Sequence, residues 1–189
     1  FTYFADGGTD FVDGGSGDDG FQFDAGQIVG ASTLRGGSGD GDRIQFSAAS
    51  VGEFDFRSAE VSGFERLTSF NSSVTDDITV RFNAAQFEFN EVAWGTSTGA
   101  RNIEVYLDSM TVLDLSSVSI GGNYTPGTDT MLIEGDGSDE DITGFSVGDT
   151  IKGGDGQDTI DGGQGDDLIY GDEVSNFTLL SMNAGGVTD

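Results

Sequence analysis

Carboxylates recur at one fixed place in a short repeat near the C-terminal end of the chain. Residues 153–161 read GGDGQDTID and residues 162–170 read GGQGDDLIY, so Asp158 and Asp167 hold equivalent positions nine residues apart, as do Ile160 and Ile169. The phase runs backward at the same step: the apolar position is Ile151, Ile142 and Ile133, and the acidic position is Asp149, Glu140 and then Met131. Carboxylates set among glycine-rich turns offer hard oxygens, from side chains and from turn carbonyls. Six to eight such ligands in a flexible cage suit Ca²⁺ better than Mg²⁺ or a transition metal.

Such a site needs turns that stack. Glycine admits backbone with positive φ and close approach to another backbone, and one large apolar residue per unit cannot be buried by that unit alone. Two units per turn of a flattened coil place loops eighteen residues apart above one another. The expected carboxylate pairs are then Asp149 with Asp167 and Glu140 with Asp158. Gly154, Gly156, Gly163 and Gly165 form the turns and lend carbonyls. Met131 ends the acidic ladder while the coil continues. A second set lies near the N-terminus. Residues 14–19 read GGSGDD and residues 36–42 read GGSGDGD. Gly15 and Gly17 with Asp19, and Gly37 and Gly39 with Asp42, are expected to face each other across a metal in a longer coil. Asp10 fits the acidic position too, with Asp24 as its only suggested partner. Asn176 stands where a further Asp would fall, and an apolar strand is expected around Ile28 and Val29.

These stretches resemble the RTX (repeats-in-toxin, haemolysin-type calcium-binding) proteins, whose pattern is a Gly-Gly-x-Gly-x-Asp turn followed by one large apolar residue. The resemblance implies a parallel β-roll, several bound Ca²⁺ ions, bacterial type I secretion and an extracellular or cell-surface location. It also implies that the chain is a fragment of a larger secreted protein, such as a toxin, protease, lipase, adhesin or surface-layer protein.

The rest of the chain limits the alternatives. It has 34 acidic residues, 7 basic residues, no His and no Cys, for a formal charge of −27. Such a chain will not bind nucleic acid by neutralising phosphates, and its self-repulsion calls for cations. Without Cys there is no disulfide to stabilise an extracellular fold, and no apolar run is long enough for a membrane span. Without His there is no Ser-His-Asp triad and no His-based zinc helix.

Between the two ends the repeat gives way to period-two alternation at residues 53–56, 77–82, 102–107 and 111–115, which indicates strands. A short helical turn is the other reading of residues 58–67. Eleven of the 20 aromatic residues lie between Phe46 and Tyr124, as expected for aromatic ladders inside a wide coil.

The expected fold is an all-β, right-handed parallel β-roll or β-helix solenoid. A calcium roll spans residues 1–46, wider coils 47–130, a second calcium roll 131–178 and a tail 179–189. An inserted β-sandwich is the alternative for the middle. The expected function is a calcium-binding structural module without catalysis in this chain. Two further readings stay open. One is a carbohydrate-active β-helix or polysaccharide-binding module, with paired carboxylates for chemistry and Trp94 as a stacking platform, although Trp94 reads first as a core or turn aromatic. The other is an adhesin or surface-layer segment that contacts neighbouring subunits.

Overall fold

A computed structural model describes residues 2–4, 9–24, 31–47, 50–69, 77–96, 98–171 and 182–183. Asn176, Ile28 and Val29 lie outside these residues, as does the tail apart from 182–183.

The strands among the described residues form four sheets. The first contains β1 (Thr2–Phe4), β3 (Gly20–Phe23), β5 (Arg43–Phe46), β8 (Arg66–Ser69), β10 (Glu91–Trp94) and β13 (Ser119–Gly122). The second contains β6 (Gly52–Asp55), β9 (Ile78–Asn83), β11 (Arg101–Tyr106), β14 (Thr130–Glu134), β16 (Asp149–Lys152) and β18 (Leu168–Tyr170). The third contains β2 (Phe11–Asp13), β4 (Thr33–Arg35) and β7 (Glu60–Ser62), and the fourth β12 (Val112–Asp114), β15 (Asp141–Thr143), β17 (Thr159–Asp161) and β19 (Met182–Asn183).

Every strand pairing among the described residues is parallel. The chain is therefore an all-β parallel β-roll that widens in its middle. Strands β1 to β5 alternate between the first and third sheets. From β5 to β14 a coil visits a third face as well, and from β15 onward it alternates between the second and fourth sheets. Parallel pairing runs unbroken from β5 to β8 and from β6 through β9 to β11. Among the described residues no inserted β-sandwich interrupts it.

Register explains the change in width. Ile133, Ile151 and Ile169 stack in line, as do Ile142 and Ile160, so a two-faced coil needs about one aliphatic side chain per strand to fill it. A three-faced coil encloses more space and uses aromatic rings. Phe56 stacks flat on Phe82, with centroids 4.9 Å apart, and contacts continue from Phe23 through Phe56, Phe82 and Phe87 to Phe145. Phe23, Phe46, Phe54, Phe56 and Phe82 are fully buried. Burying each contributes about 1.5–3 kcal/mol relative to exposure, so the middle holds the largest share of the apolar stabilisation.

Two pairs of alternatives are decided. Residues 58–67 form β7 and the start of β8 rather than a helical turn. Gly63, at φ 67°, turns the corner, while Val61, Phe64 and Leu67 point into the core. Trp94 is buried inside β10 at 2% exposure. Its ring packs as core and offers no surface for a sugar.

Candidate metal centre

The turns between strands stack directly upon one another, and glycine makes this possible. Gly154 adopts φ 96°, and a methyl group there would run into the Asp136 carbonyl oxygen of the preceding coil. Gly156 is held the same way, at φ 132°, against the Ser138 carbonyl. Gly163 and Gly165 pack on residues 145–148, Gly37 on Gly15, and Gly39 on Gly17. The amide of Asp155 donates to the Asp136 carbonyl at 2.9 Å, and that of Ser38 to the Gly15 carbonyl at 2.8 Å. Carbonyl-bearing turns are thus layered eighteen residues apart at one end and 22 to 23 apart at the other.

One contact recurs at the acidic positions. Asp158 Oδ1 accepts the amide N–H of Glu140 at 3.0 Å, and Asp167 Oδ1 accepts that of Asp149 at 3.0 Å. At the other end, Asp42 Oδ1 accepts the amide of Asp19 at 2.6 Å. The structure therefore brings together the three pairs expected from spacing. Met131 stands in register with Asp149 and is buried as an apolar side chain. Asp10 differs: its amide donates to the Ser32 hydroxyl at 3.0 Å, so the next coil presents a hydroxyl at that rung.

The second carboxylate oxygen defines the chemistry. Asp42 Oδ2, Asp149 Oδ1, Asp167 Oδ2 and both oxygens of Glu140 are buried without a hydrogen-bond donor. Burial, with the charge of Asp167 adding to it, pushes the Asp149 carboxyl up to about 8, against the pull of the Phe145 amide on its other oxygen. Burial raises Glu140 as well, and the nearby carboxylates of Asp158 and Asp136 raise it further. Asp167 is raised chiefly by burial. Buried carboxylates without partners are strongly unfavourable, and a divalent cation relieves them.

The donors present fit Ca²⁺: paired carboxylates, turn carbonyls and no nitrogen or sulfur ligand. Among the described residues no three acidic side chains converge on one point, so turn carbonyls must complete each shell. Asp19, Asp42, Glu140, Asp149, Asp158 and Asp167 would hold the ions, and the ions would supply the charge that joins coil to coil.

Two residues outside the motif take the same rung. The amide of Asp42 donates to Glu65 Oε2 at 2.9 Å, and Glu65 follows Asp42 at the step of 23 that separates Asp42 from Asp19. That equal step was the available signal, but the turn before Glu65 lacks the glycine pattern. Asp129 accepts the amide of Arg101 at 2.7 Å through Oδ1 and that of Thr125 at 2.7 Å through Oδ2. Nothing in the sequence marks it.

Residues 3–26 and 143–177 match the RTX calcium-binding nonapeptide repeat, in four copies. The matched stretches contain Asp10, Asp19, Asp149, Asp158 and Asp167 and leave out Asp42, Glu65 and Glu140. No curated protein and no solved structure matches the chain. The chain therefore carries RTX calcium-binding repeats near both ends of a parallel β-roll. No helix among the described residues is long and apolar enough to cross a membrane.

Proposed function

We propose that this chain is a calcium-binding structural module of a secreted bacterial protein, whose terminal rolls fold when Ca²⁺ joins their stacked turns after export. The observation that carries this reading is the set of buried, donorless carboxylate oxygens at Asp42, Glu140, Asp149 and Asp167, on turns too closely layered for any residue but glycine. Where Ca²⁺ is scarce, these carboxylates and the formal charge of −27 oppose the compact state. Where it is abundant, binding free energy adds to folding free energy. An affinity of about 10⁻⁴–10⁻³ M, as in extracellular calcium modules, places the switch between the two sides of the cell envelope.

In this reading the middle coils supply the framework. Three of their arginines are engaged in ion pairs, Arg57 with Asp55, Arg66 with Glu91, and Arg81 with both Glu53 and Glu104, and Arg101 is buried with its guanidinium donating to the Gly99 and Ala100 carbonyls. A surface groove beside Asp55, Asn83, Asp108 and Glu134 exposes Tyr106, but the Arg57 guanidinium lies 4.6 Å above that ring and covers the face a sugar would stack on. This favours the structural module over a polysaccharide-active one.

A Ca²⁺ titration from chelator-treated protein, followed by far-UV circular dichroism with Mg²⁺ as control, tests the proposal. A cooperative gain of β signal with Ca²⁺ alone is expected. Full β signal in chelator, unchanged by Ca²⁺, would refute the switch.

A further inference from the structure

We propose that Asp42 and Glu65 form a further calcium site, one rung beyond the glycine-rich repeats, where the N-terminal roll meets the wide coils. The inference rests on the reading of the rolls as calcium sites and extends it to a turn that carries no repeat motif.

The backbone continues the ladder without a break. The Asp19 carbonyl accepts the Arg43 amide, the Asp42 carbonyl accepts the amides of Glu65 and Arg66, and the Glu65 carbonyl accepts those of Asn90 and Glu91. Asp19, Asp42 and Glu65 are thus successive rungs, 23 residues apart. The side chains obey one rule as well: Asp42 takes the amide of Asp19, and Glu65 takes the amide of Asp42. The turn before Glu65 runs through Gly63 at φ 67°, and the Glu65 side chain reaches back to the Asp42 amide.

Asp42 itself points to a ligand. It is fully buried, and its Oδ2 has no hydrogen-bond donor. A methyl group built at Gly36 would collide with the Gly63 carbonyl oxygen and stand 2.8 Å from Asp42 Cβ. The Gly63 carbonyl and the Asp42 side chain therefore both pack closely against Gly36, and Glu65 reaches the Asp42 amide beside them. Two carboxylates and a carbonyl supply hard oxygens only, the donor class of Ca²⁺.

The opposite junction behaves differently, which sharpens the assignment. Asp129 occupies the corresponding place where the C-terminal roll meets the wide coils, and amides satisfy both of its oxygens. That ladder closes by hydrogen bonds. The N-terminal ladder leaves an open, buried oxygen at Asp42, and a cation closes it.

Counting ions by native mass spectrometry at saturating Ca²⁺ tests the site. Glu65→Gln keeps an oxygen for the Asp42 amide and removes the charge. It is expected to hold one ion fewer than the unmodified protein at unchanged β signal. The unmodified count in Glu65→Gln would overturn the site while leaving the other calcium rungs intact. No ion on the unmodified protein would overturn both this site and the module reading. Anomalous diffraction from the unmodified protein with Tb³⁺ gives a readout independent of any variant. A peak against Asp42 and Glu65, separate from one between Asp19 and Asp42, is expected, and peaks confined to the Asp19–Asp42, Asp149–Asp167 and Glu140–Asp158 rungs would refute the proposal.

Discussion

Replacing Asp149 by Asn should remove much of the pH dependence of the calcium-free protein. Asp149 has an ordinary carboxyl value of 3.8 and is pushed to about 8 in the fold, by burial first and by the charge of Asp167 second. The fold therefore favours its protonated form. Its contribution is fully present below 3.8, fades as pH rises, and is lost at about 8. From these two values the penalty for ionising it in the fold is about 5 kcal/mol at pH 8, and about 3 kcal/mol of that accumulates between about pH 5.5 and pH 8.

Acidification should then stand in for Ca²⁺ in chelator and restore roll structure as the pH falls. Asn has no charge to lose, so its variant should show a pH slope smaller by about 3 kcal/mol over the same range. The variant also needs a partner for its new N–H group, which costs about 1–3 kcal/mol and lowers its gain at the alkaline end to about 2–4 kcal/mol. Urea unfolding in chelator, followed by far-UV circular dichroism across the pH range, measures both proteins. Glu140 and the general charge repulsion titrate in each, so the difference isolates Asp149. Equal slopes would refute the argument that a buried, donorless carboxylate at this rung opposes folding.

Two further substitutions separate the rolls from the framework. Gly154→Ala places a side chain at φ 96° against the Asp136 carbonyl. Backbone strain of about 1–3 kcal/mol should weaken Ca²⁺ binding at the Glu140–Asp158 rung about 5- to 150-fold, as read by calorimetric titration. Phe82→Ala removes the ring that stacks on Phe56 and should lower stability by about 3–5 kcal/mol in thermal melts, by similar amounts with and without Ca²⁺.

The narrow C-terminal coils were legible in the sequence because one residue in nine does each job there. The step from Ile133 to Ile151 to Ile169 equals one coil, so apolar and acidic positions could be read by counting. The wide coils obscure such counting. Their rungs advance by 23 from Val80 to Ile103 but by 28 from Ile103 to Met131, and corners of unequal length absorb the difference. Strands there were recognisable by alternation, their neighbours were not. Trp94 was readable as a core or turn aromatic, but beside Gly95 and a run of Ser and Thr the surface reading stayed open, and the pairing of β10 with β13 and the burial of the ring close it. Glu65 lacks the glycine signature of the motif, and the ladder persists there only through the carboxylate and its spacing.

Amide hydrogen exchange of the whole chain, with Ca²⁺ and with chelator, tests the central claim most directly, because it reads each rung separately. The account predicts that Ca²⁺ adds protection in the turns around residues 14–19, 36–42 and 135–167, while β9, β11 and the aromatic core between them are protected in both conditions. Equal protection of those turns with and without Ca²⁺ would contradict it.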